Sequence, residues 1–184
     1  MHGYDAKNLS QSFRTVRKNT IQIAEEIPED KYDFRPVEGT RTVAETLRHI
    51  AVTTNWPLRV HGERLKEMKF EMFSEVMAQT AQAEAKLVTK SDILKALHDS
   101  GEEFATFIEG LPDEVLAETV SFPAASNMPS KTRFEMLLSA KEHEMHHRGQ
   151  LMLMERMIGI VPHLTRQMQE RMAAMTQQRA AQSA

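Results

Sequence analysis

With 184 residues, 41% of them hydrophobic, the chain is long enough for one ordinary domain with a real core, or one domain plus a tail. A formal charge of -3 and a pI near 6.2 give no basic patch to attract nucleic acid, which is therefore not expected as a partner. The absence of cysteine excludes disulfides, thiolate chemistry and cysteine-type zinc sites, so any metal must bind through His, Asp, Glu or water.

The start, Met1-His2-Gly3-Tyr4-Asp5, lacks a basic-then-apolar signal. No apolar run approaches the roughly 20 residues of a membrane span. The expectation is a soluble, cytoplasmic chain with no membrane partner. Leu9, Phe13, Val16, Thr20, Ile23 and Ile27 recur at steps of four and three, which predicts a helix over about 5–27, stopped by Pro28. An irregular stretch follows through Pro36 and Gly39. Thr42-Val43-Ala44-Glu45 is a capping box opening a second helix to about Val60, which Pro57 kinks or ends. Its apolar line is Val43, Leu47, Ile50, Thr54 and Leu58. His49 lies on another line, with Thr42, Thr53, Trp56 and Val60, so burying it requires cover on more than one side.

Residues 63–88 are helix-like but poorly patterned, with Phe70, Phe73, Val76 and Met77 as apolar contributors. Ser91-Asp92 opens a third major helix, buried through Ile93, Leu97, Phe104, Phe107 and Ile108 and ended by Gly110-Leu111-Pro112. A short helix around 112–117 and a loop over 120–130, with room for a brief hairpin, come next. Thr132-Arg133-Phe134-Glu135 is a second capping box, and its helix ends near Ile158, before Gly159 and Pro162. From about 165 the chain turns to Gln, Ala, Met and Arg. Met168, Met172 and Met175 can line an amphipathic helix, with the last dozen residues frayed. The expected fold is all-α: a four-helix bundle with short extra helices over 1–162, and a helical or partly disordered C-terminal extension over 163–184.

The chemistry concentrates in His143-Glu144-Met145-His146-His147-Arg148-Gly149-Gln150. His143 and His147 are four apart, so both imidazoles share one helix face and can grip one ion. That face also carries Met136, Ala140, Gln150 and Met154, the stripe expected to point into the bundle. Burying imidazoles costs free energy unless their nitrogens find partners. Two on one apolar stripe are harder to explain as core histidines than one. His146 points about 100° away, as a substrate contact or a half-solvated flank. Gln150 turns toward the pair and can orient a ligand or water. Gly149 costs helix stability, which close approach of another backbone would offset. The His-Glu-x-x-His pattern also matches zincin proteases, with Glu144 as base, although Leu153 stands where the longer metzincin motif needs a histidine. Glu170 is a conceivable downstream ligand. Catalytic candidates are Glu144, His146 and Gln150.

The segment 143–150 resembles the signature near the end of the DinB/YfiT-like family of metalloenzymes. The segment 34–51, from Phe34-Arg35-Pro36 through Thr42-Val43-Ala44-Glu45 to Leu47-Arg48-His49-Ile50, resembles that family's other marker, a proline-containing loop leading into a helix with a ligand histidine. The resemblance spans roughly 5–160. It implies a four-helix bundle, commonly a homodimer, with three histidines holding a divalent ion. By position these are His49, His143 and His147. The resemblance, not periodicity, selects His49 over His61 at a helix end, His98 on a solvated face and His163 in a turn. Zinc or nickel is expected first, with manganese or iron also suited to imidazole. Relatives implied by the resemblance include S-transferases that use low-molecular-weight thiols, and presumed hydrolases. The expected function is thus a divalent-metal-dependent enzyme acting on a small molecule, of thiol-dependent S-transferase type. The alternatives are a hydrolase with Glu144 as base, or a non-catalytic dimer whose metal ties helices together, with Glu45 as the candidate closing ligand.

Overall fold

A computed structural model describes residues 4–182. The first three and last two residues, where the start of the expected leaderless terminus and the end of the expected frayed tail fall, lie outside the described residues. Helix α1 runs Ala6–Glu26, α2 Val43–Thr53, α3 Asn55–Gly62, α4 Phe70–Ala85, α5 Lys90–Glu109, α6 Asp113–Leu116, α7 Arg133–Met157 and α8 His163–Gln182. A two-residue hairpin pairs β1, Thr119–Val120, antiparallel with β2, Lys131–Thr132.

The four long elements α1, α2, α5 and α7 form the bundle. Helix α5 packs on α1 and α2, and α7 packs on the same two helices from the other side. Each starts at a side-chain cap. Asp5 accepts from the Asn8 amide at 2.7 Å, and Thr42, Thr89 and Thr132 form capping boxes with Glu45, Asp92 and Glu135. The predicted stripe of α1 is buried throughout, Leu9, Phe13, Val16, Thr20, Ile23 and Ile27 all packing inward. Of the expected α5 core, Ile93, Leu97, Phe104 and Ile108 are buried, while Phe107 is only half-buried. Each such side chain contributes about 1.5–3 kcal/mol of hydrophobic stabilisation.

Pro57 does more than kink the second helix. It has no N–H for the Thr53 carbonyl, and its ring crowds that oxygen. Helix α2 therefore ends at Thr53, and α3 restarts at Asn55 with Pro57 in the first turn, where a missing donor goes unnoticed. The poorly patterned stretch does contain a helix, α4, but none of its side chains is buried. Phe70 and Met77 stay exposed, and Val76 is half-buried. Helix α4 lies mainly along α2, giving that helix the second covered side that His49 requires.

Two expectations about the C-terminal part change. His163 does not sit in a turn. It begins α8, is 1% exposed, and places Nε2 3.3 Å from Asn19 Oδ1 of α1. The tail is helical through Gln182 rather than frayed, with Met168, Met172 and Met175 exposed. No helix among the described residues is long and apolar enough to cross a membrane.

Candidate metal centre

His49 on α2 meets His143 and His147 on α7. The Nε2 atoms of His49 and His143 are 3.2 Å apart, and those of His147 and His143 are 3.1 Å apart. One ligand atom from each of the three residues lies within 4.8 Å of the other two. Two imidazole nitrogens bound to one tetrahedral zinc stand about 3.3 Å apart, so the cluster has the dimensions of a metal site.

The outer nitrogens fix the tautomers. His49 Nδ1 stands 2.9 Å from Glu84 Oε1 of α4, and a carboxylate only accepts, so this nitrogen carries the proton. His147 Nδ1 stands 2.8 Å from Gln150 Oε1 and donates likewise. Both Nε2 atoms then present bare lone pairs to His143 Nε2. His143 can donate one proton to one of them, so at least one close approach of two lone pairs has no proton between. A cation resolves that conflict. All three groups are well suited to binding one. Burial, then the neighbouring imidazoles, lowers His143 to about 4. Burial also lowers His49 and His147, partly opposed by Glu84 and Gln150. The three imidazoles are therefore neutral near pH 7.

The remaining candidates fall in distinct places. Gln150 faces His147 as its spacing suggests, and its Nε2 lies 3.1 Å from His146 Nε2. His146 is exposed. Glu144 is 2% exposed, and both its oxygens face Arg17 Nε of α1, at 3.0 and 3.1 Å. Arg17 also donates to Leu97 O at 2.7 Å and Ser100 Oγ at 2.9 Å of α5, so this pair ties α1, α5 and α7 together. Glu45 is held by the Thr42 amide at 2.7 Å and by Arg35 at 3.0 Å, and it does not join the histidines. Glu170 is exposed on α8, and His98 is exposed on α5. His61 stands one residue before the end of α3, at the helix end expected for it, and is buried there. Gly149 has open space where another backbone was expected, and the close glycine is Gly101, whose added Cβ would stand 2.6 Å from Arg17 Cγ.

Two participants escape sequence reasoning. Glu84 lies on α4, a poorly patterned helix with no buried side chain. Arg17 lies on the line Phe13–Arg17–Ile21 beside the apolar stripe of α1, and a charge on that line was the available signal.

A cavity of about 600 Å³ opens beside the cluster. His49, Glu84 and His143 line one end of it, and Trp56, Val76, Met77, Phe122, Met136 and Ala140 supply largely apolar walls. Among the described residues the candidate ligand group consists of the three histidines.

Known proteins share this arrangement of helices. The crystal structure of the DinB-like protein YjoA from Bacillus subtilis matches with a TM-score of 0.61 at 24% identity, over 82% of this chain and 91% of that one. In sequence, uncharacterised YjoA is 26% identical over 154 residues, 84% of this chain and 91% of YjoA. YfiT from the same organism, described as a probable metal-dependent hydrolase with an unusual four-helix bundle topology, matches with a TM-score of 0.68 at 16% identity, over 87% and 91% of the two chains. Residues 12–151 match the family model of the DinB superfamily, and it is to the DinB superfamily that this chain belongs.

Proposed function

We propose that this chain is a divalent-metal-dependent enzyme of thiol-dependent S-transferase type, with His49, His143 and His147 as ligands. The observation that carries the reading is the meeting of three neutral imidazoles beside an apolar cavity that His49 and His143 line, with His49 and His147 held as lone-pair donors by Glu84 and Gln150. With zinc or nickel bound, the chemistry supplied there is activation of a thiol or water as nucleophile at neutral pH. The protein's own part is to keep the imidazoles neutral, fix their tautomers and exclude water from the walls. The thiol must come from a small molecule, since the chain has no cysteine. The reaction joins the thiol sulfur to an electrophilic carbon, expels that carbon's leaving group and releases the thiol proton to solvent. The working unit is the homodimer that the family resemblance implies, for which the exposed apolar side chains Leu153, Met157 and Val161 offer a face.

A hydrolase of zincin type is the second reading, favoured by the description of YfiT. It needs Glu144 as a free base, and the hold of Arg17 on both carboxylate oxygens weighs against that role. The test incubates metal-replete protein with low-molecular-weight thiols and monobromobimane, following thioether and bromide, with His147→Ala as control. Turnover lost in the control is the expected result. Failure of every thiol and electrophile pair would remove the transferase.

A further inference from the structure

One donor in the cavity wall has no acceptor. His61, near the C-terminal end of α3, lines the cavity and is 1% exposed. Arg133 Nη1 stands 3.2 Å from its Nδ1. A guanidinium can only donate, so Nδ1 accepts, and the neutral ring must carry its proton on Nε2. Burial, then the Arg133 charge, lowers His61 to about 4, so the ring stays neutral. Arg133 has no freedom to turn away. It is fully buried and also donates to Glu118 Oε2 at 2.9 Å and Leu65 O at 2.8 Å. The Nε2–H of His61 is left buried with no partner among the described residues. Buried donors are almost always matched, so an acceptor is missing here.

Its placement says what kind of acceptor. Arg133 and His143 are ten residues apart on α7, roughly 15 Å along the axis. His61, bound to Arg133, therefore marks the end of the cavity away from the three histidines. Met136 and Ala140, which lie between Arg133 and His143 on α7, are apolar parts of the same wall.

We propose that His61 is a substrate-positioning residue, whose Nε2–H donates to an oxygen on an elongated, otherwise apolar molecule that presents its reacting atom to the three-histidine end. The proposal rests on the reading of this cavity as the substrate site. It names the substrate class: a long apolar body with an oxygen acceptor at its far end.

The test uses two probes of one shape, benzylacetone and butylbenzene, which differ by a carbonyl. Wild-type protein is expected to bind the ketone about fivefold more tightly, the effect of one hydrogen bond. His61→Gln can accept from Arg133 and still donate, and keeps the preference. His61→Phe loses the preference for the ketone and binds butylbenzene at least as tightly, since the carbonyl is then buried without a donor. In nitrogen-labelled wild-type protein the His61 proton resides on Nε2, and its resonance moves on adding the ketone. A proton on Nδ1, equal binding by wild type, or a preference surviving in His61→Phe would each overturn the proposal. The resonance measurement keeps the test decisive if His61→Phe does not fold. Metal content is measured separately on the same preparation: a protein that takes up no divalent ion defeats the proposed function, while the ketone preference is read independently of it.

Discussion

Glu84 Oε1 lies 2.9 Å from Nδ1 of His49, so a carboxylate on α4 sets the proton of an imidazole on α2. Groups that orient a ligand from behind typically contribute 10- to 100-fold in metal affinity. Glu84→Ala is therefore expected to weaken zinc binding about 10- to 100-fold while helical content is retained. Competition against a chromophoric chelator measures this. Unchanged affinity would mean that Glu84 does not support a ligand.

Removal of one ligand has a larger effect. His147→Ala leaves two imidazoles, and two rarely hold a catalytic ion. Elemental analysis of protein purified without a histidine tag is expected to find about one ion per wild-type chain and little in the variant. Equal metal content in both would exclude His147 as a ligand.

Arg17 and Glu144 predict stability rather than turnover. Breaking a buried pair from one side strands the other charge, which costs about 3–5 kcal/mol. Arg17→Met should lose on that order in urea unfolding. Glu144→Gln should lose less and keep its rate per folded molecule. A Glu144→Gln protein that folds fully, holds metal and is inactive would restore the zincin reading.

Two helical glycines should respond oppositely to alanine. Gly149 has no neighbour within 4 Å, so Gly149→Ala gains about 0.5–1 kcal/mol of helix stability. Gly101→Ala drives a methyl group against Arg17 Cγ at 2.6 Å, and Arg17 is pinned at its far end. Overpacking of this kind costs about 1–3 kcal/mol. Denaturation midpoints of the two variants moving in the same direction would contradict this contrast.

Glu155 gives the fold a pH dependence. It is fully buried, and neither oxygen has a partner among the described residues. Burial, then the nearby Glu26, pushes it up to about 7. The folded chain therefore holds this proton more tightly than the unfolded chain does. Its stabilising effect is complete below about 4.5, the unfolded value, and is lost as pH rises through 7. The loss between pH 5 and 8 is on the order of 3 kcal/mol. Glu155→Gln should flatten that slope, and a slope unchanged in the variant would assign it to other groups.

The bundle was legible because its helices announce themselves. Two capping boxes, at Thr42 and Thr132, and the Leu9–Ile27 stripe carry local, periodic signals that packing then uses without alteration. The His143–His147 pair was legible for the same reason, being one turn of one helix. His49 required a resemblance, because its partners are far away in sequence and its own helix line is mixed. Glu84, Arg17 and His61 remained hidden. Each is defined by a neighbour from another element, and one polar residue on a helix does not reveal which helix will cover it.

Helix α4 places no side chain in the core, yet it forms one wall of the cavity and carries Glu84. Its ties to the bundle include two polar contacts to its neighbours, Glu84 with His49 and Glu75 with Arg59 at 3.1 Å. Segments held this lightly open first in native-state hydrogen exchange. One wall of the cavity is thus a panel with no side chain in the core, and the carboxylate behind a histidine is among its clasps. Loading the centre would be felt as slower amide exchange along 70–85, at a distance from any bond to the ion.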